Sequence, residues 1–519
     1  MSTVFSAFEQ TANANSRRPF LLAYPQRTEL IYGAALERVA SIASRYRARG
    51  YGNGHRVALK LPNCPEFLLH FLALNSLGAS VLPLNPDYRT AELDYVLAHS
   101  EAGAVIDASS LDDPPPPGKD CGAEECALLY TSGTTGKPKG CLLSNFYFLS
   151  LGRRYIAEGG LCELRQGEER LITPLPLFHM NALAFSTTAM ILTAGCIVQL
   201  DRFHPKSWWR DVADSRATIA HYLGVMPAIL MKDESPFPGH QVRFGYGANA
   251  NPKDHAAFEA RFGFPLIEGW AMTETGSGAL VSASREPRHV GTRCFGFEKH
   301  DTEIRIEANG ELLVRHKGDD PRRGFFSGYL KDEKATADAW RDGWFHTGDA
   351  ARRGPDGALH FVDRLKNIIR RAGENIAALE VEAALAGHPA VEQVAVIAAP
   401  DDVRDEEVLA CVVSKSRNRE TAISIQDWCL DRLSYFKAPG IVAFIDELPV
   451  TSTNKVQKAK LSDFQFVPAR RFDLRDRKRR KSGGRAIRGS RSQCRSRCRT
   501  SAIRSAPPIG GSHAPWILF

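Results

Sequence analysis

The chain has 519 residues, too many for a single hydrophobic core, and its content of 43% hydrophobic and 24% charged residues is ordinary for a globular protein. Residues 470–519 hold fifteen Lys and Arg against two Asp, which gives this segment a charge of +13 and leaves −5 for residues 1–469. At least two domains are therefore expected, and no nucleic-acid partner is expected for the mildly acidic body of the chain.

The sequence shows no pattern typical of targeting or membrane-spanning segments. Residues 1–9 lack the basic and apolar regions of a signal peptide. Residues 182–200 form the most apolar long run, and their Ala, Thr and Gly content favours a buried helix and strand over a membrane span. The eleven cysteines include no C-x-x-C pair, which is typical of reduced thiols. We therefore expect a cytoplasmic protein without an integral membrane segment.

Apolar periodicity in residues 29–106 alternates between helix and strand. The helical period occurs at residues 36–49 and 65–77, whereas residues 56–61 and 80–84 are short apolar runs of the strand type. This alternation predicts a parallel sheet with helices on both faces.

The most distinctive segment is residues 130–140, Y-T-S-G-T-T-G-K-P-K-G. Its glycines allow close approach of the backbone, and its hydroxyl groups, N–H groups and lysines can surround phosphate oxygens. It follows an apolar run at residues 126–130 that is predicted to be a buried strand, and nucleotide-binding loops often leave the end of a strand. Thr131 in place of the first glycine, and Pro138 after Lys137, disfavour a Walker A loop. A solvated turn without a ligand is the less favoured alternative.

Later segments complete the predicted fold. Residues 219–231, residues 265–270 and Val281 fit further βα segments, and residues 291–362 contain short strands separated by turns with Gly and Asp. Residues 378–414 contain a helical pattern followed by two strand patterns. The predicted fold is therefore α/β plus α+β, with a large N-terminal domain of βα-layered sheets, a small β-barrel-like subdomain and a small C-terminal α+β domain.

Further motifs follow the glycine-rich segment in order. They are P-L-F-H-M-N at 176–181, G-Y-G-A-N at 245–249, G-W-A-M-T-E at 269–274, W-F-H-T-G-D at 344–349, F-V-D-R-L-K-N at 361–367, G-E-N-I at 373–376 and P-V-T-S-T-N-K at 449–455. In this order the chain resembles the adenylate-forming superfamily of acyl-CoA synthetases, luciferases and adenylation domains, over residues 10–465. Within it, the chain looks most similar to bacterial crotonobetaine/carnitine–CoA ligases.

The resemblance implies a role for residues of each motif. The implied nucleotide-binding residues are Thr131, Ser132, Gly133, Thr134, Thr135, Gly136, Lys137, Gly247, Ala248, Trp270, Asp349 and Arg364. The implied catalytic residues are Lys455, His179, Thr273 and Glu274, with Thr134 and Glu274 as magnesium ligands. The implied hinge is Lys366, and the implied CoA-binding residues are Gly373, Glu374 and Asn375.

The chemistry of these side chains agrees with the implied roles. Trp270 offers a π-face to adenine, Glu274 offers a hard oxygen ligand to magnesium, and Asp349 can accept two hydrogen bonds from a ribose cis-diol. Taken alone, the tryptophan is more simply a core aromatic, and an exposed lysine such as Lys455 is more simply a solvated charge. The order of the motifs is what favours the functional interpretation.

The chain departs from the family pattern at several positions. Trp270 and Ala271 replace the usual Tyr and Gly, and residues 377–378 are Ala-Ala where Ser-Pro is common. Asn454 replaces the usual Gly before Lys455. Asparagine tolerates left-handed backbone geometry better than most residues, so this loop can keep its conformation.

The resemblance implies an ATP-dependent carboxylic acid–CoA ligase that uses ATP, Mg²⁺ and coenzyme A. Such an enzyme forms an acyl-adenylate and then an acyl-CoA, and it releases pyrophosphate and AMP. His179 stands where amino-acid adenylation domains usually carry an aspartate, which disfavours an amino-acid substrate. The open alternatives are a catalytically weak or inactive nucleotide-binding paralogue, a luciferase-type enzyme and an adenylation domain. The sequence does not identify the small carboxylic acid or the oligomeric state.

The resemblance also implies the domain boundaries: an N-terminal adenylate-forming domain at residues 1–364, a mobile C-terminal domain at residues 365–465 and a tail at residues 466–519. The tail is rich in Arg, Ser and Gly with little apolar periodicity, so we expect it to be disordered. Binding of the tail to nucleic acid or to an anionic membrane is the less favoured alternative. Deletion of residues 470–519 is expected to leave ligase activity intact.

Overall fold

The computed structural model of the chain describes residues 2–88, 90–131, 138–371, 374–401, 404–450, 456–462 and 468–478. Buried hydrophobic side chains cluster within residues 4–359 and, separately, within residues 369–474. We call the chain up to and including residue 364 the large unit, and the chain after residue 364 the small unit.

Helices occur at the predicted helical segments 36–49 and 65–77 and at further positions in the described part of the chain. They are α1 (Val4–Ala14), α2 (Tyr32–Ala48), α3 (Pro65–Ser76), α4 (Thr90–Ser100), α5 (Asn145–Glu158), α6 (Thr187–Leu192), α7 (Trp208–Asp214), α8 (Val225–Met231), α9 (Pro252–Phe262), α10 (Glu333–Ala339), α11 (Ala378–Leu385), α12 (Arg419–Leu430) and α13 (Lys458–Ser462). α3 and α9 begin with proline. Proline has no backbone N–H, and the N–H of the first helical position has no partner within the helix, so no hydrogen bond is lost there. α2 begins at Tyr32, earlier than predicted, where the buried Tyr32 hydroxyl donates to the carbonyls of Met190 and Gly195.

The strands of the large unit are β1 (Pro19–Tyr24), β2 (Thr28–Ile31), β3 (Arg56–Leu59), β4 (Ser80–Pro83), β5 (Ala104–Ile106), β6 (Ala127–Thr131), β7 (Lys139–Leu143), β8 (Arg170–Thr173), β9 (Cys196–Leu200), β10 (Ile219–Leu223), β11 (Phe244–Ala248), β12 (Leu266–Trp270), β13 (Val281–Ser282), β14 (Cys294–Gly296), β15 (Thr302–Ile306), β16 (Glu311–His316), β17 (Gly328–Tyr329), β18 (Trp340–Arg341), β19 (Trp344–Arg353) and β20 (Leu359–Arg364). The strands of the small unit are β21 (Ile368–Arg371), β22 (Glu374–Ala377), β23 (Gln393–Asp401), β24 (Asp405–Val413), β25 (Ile441–Phe444) and β26 (Arg471–Asp473).

One sheet of the large unit carries the glycine-rich segment between two of its strands. Its order is β17-β7-β6-β4-β3-β5, in which β5, β3, β4 and β6 are parallel and β7 returns antiparallel to β6. Thr131 and Lys139 are partners across β6 and β7, so they flank residues 132–137. The strands predicted in this region are confirmed.

A second sheet has the order β13-β12-β11-β10-β8-β9-β1-β2. Because β8, β10, β11 and β12 are parallel neighbours, the carboxyl ends of β10, β11 and β12 lie along one edge, where α/β proteins usually bind ligands. The close approach of β10 and β11 requires a glycine, since a Cβ on Gly247 would lie 2.3 Å from the Tyr222 carbonyl oxygen.

The third sheet is antiparallel and forms a half-barrel. Its order is β14-β20-β19-β16-β15, with β18 beside β19. It occupies the region in which turn-separated short strands predicted a β-rich subdomain. The predicted combination of an α/β layered part, a barrel-like sheet and a small α+β part is confirmed.

The small unit contains the sheet β22-β21-β24-β25-β26, with β23 beside β24, and α11 and α12 pack against it. The expectation of disorder is wrong for residues 468–478, because β26 pairs with β25 and the Leu474 side chain is buried. The strongly basic composition of the whole tail conceals the apolar Phe472 and Leu474, which pack on the core of this unit. Residues 479–519 lie outside the described part of the chain.

Every helix in the described part of the chain is too short or too polar to span a bilayer.

A buried histidine links stability to pH. His221 in β10 is fully buried, and its imidazole is hydrogen-bonded to the Tyr155 hydroxyl at 3.0 Å and the Ser186 hydroxyl at 3.0 Å. Burial lowers the pKa of His221 to about 3. An unfolded histidine has a pKa of about 6.5, so below that pH the unfolded chain binds more protons than the folded chain. The stability that is present above pH 6.5 is therefore lost as the pH falls towards 3.

We predict that His221→Gln flattens this dependence. Between pH 7 and pH 5, one such imidazole accounts for a loss of about 2 kcal/mol in the free energy of unfolding. Urea denaturation at the two pH values should show a correspondingly smaller loss for His221→Gln, and the wild-type loss for the exposed control His300→Gln. An unchanged loss in His221→Gln would contradict the assignment of this effect to His221.

Candidate active site

The structure describes part of the predicted site. The predicted residues that it describes are Thr131, His179, Gly247, Ala248, Trp270, Thr273, Glu274, Asp349, Arg364, Lys366 and Glu374, together with the backbone of Asn375. The predicted residues that lie outside it are Ser132, Gly133, Thr134, Thr135, Gly136, Lys137, Gly373 and Lys455.

Three predicted nucleotide-binding residues are joined by one hydrogen bond and one ion pair. The indole N–H of Trp270, at the end of β12, donates to Asp349 Oδ2 at 2.9 Å. Arg364, at the end of β20, places its Nε 2.7 Å from Asp349 Oδ1, and Asp349 and Arg364 are partners across β19 and β20. We call these residues the carboxylate set. It joins the ends of strands from two sheets at one point.

The carboxylate of Asp349 is buried, with 3% of its side chain exposed, whereas 35% of the Arg364 side chain is exposed. A buried carboxylate is costly unless it is paired and hydrogen-bonded, and this one has both a guanidinium and an indole partner. The arginine at the rim leaves this charge pair next to solvent, where hydroxyl groups of a ligand can reach it.

The structure gives Trp270 a contact that the sequence did not predict. Its ring packs 6.0 Å from the ring of Phe295, and the residue is 7% exposed. The indole N–H donates to Asp349 from within the ring, whereas the tyrosine that is usual at this position has no ring N–H. The departure from the family pattern therefore adds a donor to the carboxylate set.

A second set surrounds Glu274, the predicted metal ligand. The buried Glu274 accepts a hydrogen bond from the Tyr329 hydroxyl at 2.9 Å. Burial, and then the Glu274 carboxylate, raise the pKa of Tyr329, so its phenol stays protonated and donates. Tyr329 in β17 pairs with Cys141 in β7, and the Lys139 ammonium lies 4.8 Å from the centre of the Tyr329 ring. The predicted metal ligand is thus tied to the strand that follows residues 132–137.

The backbone around Glu274 is also fixed by long-range contacts. The Tyr147 hydroxyl in α5 donates to the Thr273 carbonyl at 2.7 Å, and the Phe326 N–H donates to the Glu274 carbonyl at 2.9 Å. These contacts orient the turn between β12 and residue 276 without using the Thr273 or Glu274 side chain. The sequence contained no pattern that identified Tyr147 or Tyr329 as supports.

The turn after β11, which follows the predicted adenine-lining residues Gly247 and Ala248, is held by a buried acid. The Glu268 carboxylate accepts from the N–H groups of Asn249 at 2.9 Å and Ala250 at 2.8 Å, and from the Tyr222 hydroxyl at 3.0 Å. Burial raises the pKa of Glu268. An acid within the apolar run L-I-E-G-W of β12 was the available sequence signal for this role.

His179 lies on a separate, exposed turn. Its N–H donates to the Pro176 carbonyl at 3.1 Å, and a π-helical segment, Asn181–Ser186, follows it. π-helical segments are uncommon and often mark functional regions. The Asn181 amide oxygen lies 3.1 Å from Nδ1 of the buried His221, so the polar network of β10 reaches this segment.

The junction of the two units contains the predicted hinge, Lys366. Asp363 at the end of β20 accepts from the Leu379 N–H of α11 at 2.8 Å and from the Asn367 amide at 3.0 Å. Burial, and then the nearby Arg364, lower the pKa of Lys366. The junction therefore rests on a carboxylate of the large unit at the first turn of a helix of the small unit, an arrangement that helix N-termini favour.

We predict that Trp270→Phe weakens AMP binding about five- to thirtyfold. The substitution keeps an aromatic ring but removes one hydrogen bond to a charged acceptor, a loss of about 1–2 kcal/mol. Isothermal titration of AMP measures the change. The control is Trp209→Phe, whose ring stacks on Phe262 at 4.3 Å in another part of the large unit. Wild-type affinity in Trp270→Phe would show that the indole N–H does not support the nucleotide site.

We predict that Tyr329→Phe raises the Mg²⁺ concentration needed for half-maximal MgATP binding about five- to thirtyfold. The Glu274 carboxylate loses the donor that orients it, at a cost of about 1–2 kcal/mol. Binding of ATP measured in EDTA should change little. Tyr51→Phe, which removes a hydroxyl that donates to the Pro115 carbonyl, is the matched control. An equal loss with and without Mg²⁺ would contradict a role through the metal ligand.

Comparison with known proteins identifies the family of the chain. The AMP-binding enzyme family matches residues 8–121 and 107–330, and the AMP-binding enzyme C-terminal domain family matches residues 380–455. The chain is 31% identical over 493 residues to sulfoacetate–CoA ligase of Cupriavidus necator, and these cover 86% of this chain and 94% of that protein. It is 32% identical over 467 residues to feruloyl-CoA synthase of an Amycolatopsis species, with 84% and 94% covered.

The predicted similarity to crotonobetaine/carnitine–CoA ligases is also found, at lower identity. The protein from Citrobacter koseri is 28% identical over 489 residues, which cover 83% of this chain and 92% of that protein.

Among solved structures, o-succinylbenzoate CoA synthetase from Bacillus subtilis in complex with its acyl-adenylate intermediate has the same fold, with a TM-score of 0.78, 23% identity and coverage of 90% of this chain and 99% of that one. Its complex with ATP and magnesium ion has a TM-score of 0.76, 23% identity and coverage of 88% and 98%. The family matches extend over most of the chain, and the chain therefore belongs to the AMP-binding enzyme family.

Proposed function

We propose that this protein is an ATP-dependent carboxylic acid–CoA ligase that forms an acyl-adenylate, then an acyl-CoA, and releases pyrophosphate and AMP. The observation that carries the proposal is the carboxylate set, a buried acid with an arginine at its rim, at the ends of β12 and β20. Support comes from relatives that are named as CoA ligases or as a CoA synthase and of which the chain covers more than nine tenths.

The nucleoside of ATP is assigned to the carboxylate set and the end of β11. Asp349 accepts hydrogen bonds from the ribose hydroxyls, and Arg364 lies over the same hydroxyls. Trp270 holds Asp349 and borders the adenine. Gly247 and Ala248 present backbone to the base, and the buried Glu268 fixes the turn that follows them.

The phosphates are assigned to the segment between β6 and β7, with Thr131 at its entrance and Ser132 to Lys137 within it. Glu274 fits a Mg²⁺ ion, because a buried carboxylate with one oxygen held by Tyr329 keeps acceptor capacity on the other. Mg²⁺ commonly takes one or two carboxylates together with substrate phosphates, and no cluster of three or more metal-ligating side chains occurs among the described residues. When bound, the ion offsets the negative charge of the phosphates.

The first half-reaction joins two anions. An oxygen of the substrate carboxylate attacks the α-phosphorus of ATP, and the bond from that phosphorus to the bridging oxygen breaks, so that pyrophosphate leaves. Thr273, Lys137 and Lys455 offset the charge that accumulates at the phosphate. The chain on either side of Lys455 is anchored, since Val450 pairs with Val456 and Lys458 forms an ion pair with Glu382 at 2.7 Å.

The second half-reaction transfers the acyl group. The thiol of coenzyme A loses its proton, its sulfur attacks the acyl carbon, and AMP leaves with the electron pair of the cleaved carbon–oxygen bond. Glu374 and Asn375, with Gly373, are assigned to the coenzyme A side of the site, and Lys366 is assigned as the hinge. We place the domain boundary after residue 364, with the C-terminal domain extending to residue 478.

The acid is assigned only by class. His179 is not an anion, so a substrate ammonium group has no carboxylate partner at this position, and a simple carboxylic acid is favoured over an amino acid. The relatives are named for sulfoacetate, ferulate and crotonobetaine or carnitine, which differ in size and charge. These acids, with acetate, butyrate and hexanoate, form the panel to be tested.

We predict that one or more panel acids release AMP and pyrophosphate in the presence of ATP, Mg²⁺ and coenzyme A, and that Lys455→Ala lowers acid-dependent pyrophosphate release about 10²–10³-fold while ATP still binds. The exposed Lys460→Ala in α13 is the matched control and should keep wild-type activity. Undiminished release in Lys455→Ala would overturn its assignment. If the wild-type protein binds ATP but releases pyrophosphate with none of the panel acids, the result would favour a nucleotide-binding protein without ligase activity.

A further inference from the structure

Residues 471–478 are built into the small unit, although the composition of the surrounding tail predicts disorder. β26 adds to the edge of the sheet beside β25. The Leu474 N–H donates to the Gly440 carbonyl at 2.8 Å, and the buried Gln426 amide donates to the Leu474 carbonyl at 3.0 Å. The segment therefore forms part of the packed core and its hydrogen-bond network.

The segment ends on a buried charge network. The Lys478 ammonium lies 2.9 Å from Glu407 Oε1, and the Arg371 Nε lies 2.9 Å from Glu407 Oε2. All three side chains are at most 7% exposed. Two cations therefore share one carboxylate inside the small unit. We call Arg371, Glu407 and Lys478 the buried triad.

The buried triad lies beside the β21–β22 hairpin. Arg371 is the last residue of β21 and pairs with Glu374, the first residue of β22. β22 leads directly into α11. The triad thus contacts the hairpin at the end of its strands, next to the residues assigned to coenzyme A.

A second contact reaches the other end of the same hairpin. The Lys478 ammonium donates to the Phe436 carbonyl at 3.0 Å. The next residue, Lys437, contacts both carboxylate oxygens of Glu380, in the first turn of α11, at 2.7 and 2.8 Å. Lys478 is therefore connected to β21 through Glu407 and to the helix after β22 through the 436–437 backbone.

Docking of the segment does not by itself require a buried triad. Arg475 pairs with Asp401 at 2.8 Å, and Arg477 pairs with Asp427 at 3.0 Å, both nearer the surface. Burying charges is costly, and an apolar side chain at 478 would fill the same space without that cost. A buried ion network is better explained where it fixes one geometry of the groups around it.

We propose that Lys478 is a positioning residue for the thioester-forming step, which holds the β21–β22 hairpin through Glu407. The inference rests on the proposed function, because it uses the assignment of Glu374 and Asn375 to coenzyme A. The residues assigned to adenylate formation, apart from Lys455, belong to the large unit. Loss of Lys478 is therefore expected to slow the second half-reaction selectively.

The test uses Lys478→Met in the full-length protein, a substitution that keeps a long unbranched side chain and removes its charge and donors. Without coenzyme A, the pyrophosphate burst with the most active panel acid should stay within about twofold of wild type. On addition of coenzyme A, single-turnover consumption of the acyl-adenylate should slow about fivefold or more, with a raised KM for coenzyme A. Arg477→Met, in the same segment, is the matched control and should match wild type in both steps.

Two further variants and one measurement keep the test decisive if Lys478→Met folds poorly. Lys478→Arg retains the charge and should retain the thioester step, whereas Glu407→Gln should reproduce the selective loss. Hydrogen exchange of peptides covering residues 366–377 should rise in Glu407→Gln and Lys478→Met, and stay unchanged in Arg477→Met. This readout does not depend on turnover.

Equal loss of both half-reactions, or unchanged exchange in the hairpin with an unchanged thioester step, overturns the proposal. A wild-type protein that releases no pyrophosphate with any acid contradicts the proposed function instead, and the exchange experiment then decides whether Lys478 positions the hairpin. A role for Lys478 also changes the expectation that deletion of residues 470–519 leaves ligase activity intact. Truncation after Lys478 should preserve both steps, and truncation after Arg470 should not.

Discussion

The site depends on one buried carboxylate, that of Asp349. A charge with 3% of its side chain exposed requires compensation, and it receives a guanidinium from β20 and an indole N–H from β12. These partners belong to different sheets, so the half-barrel and the eight-stranded sheet are held together at the point where the nucleotide is proposed to bind.

The phosphate end of the site is organised in the same way. Glu274 follows β12, and its partner Tyr329 belongs to the strand beside β7. In each half of the proposed site, a residue in β12 or directly after it is hydrogen-bonded to a residue of another sheet: Trp270 donates to Asp349, and Glu274 accepts from Tyr329. A short run of sequence, G-W-A-M-T-E, can therefore serve both the proposed nucleoside site and the proposed metal site, provided that distant segments supply the partners, Asp349 for Trp270 and Tyr329 for Glu274.

The alternation of apolar patterns predicted the layered fold, and the order of the motifs predicted the family and the residues of the carboxylate set, because each of these patterns is local in sequence. The supports could not be predicted in this way. Trp270 and Asp349 are 79 residues apart, and Glu274 and Tyr329 are 55 apart, so their pairing appears only in the folded chain. Composition also misled in one place, since the charge of residues 466–519 concealed a strand and a buried lysine at 471–478.

The most direct test of this account compares AMP with 2′,3′-dideoxy-AMP by isothermal titration to wild type and to Asp349→Ala. If Asp349 binds the ribose hydroxyls, wild type should lose about tenfold or more in affinity when both hydroxyls are removed. Asp349→Ala should bind the two nucleotides with equal affinity. Discrimination by Asp349→Ala as large as that of wild type would contradict the central role of this carboxylate.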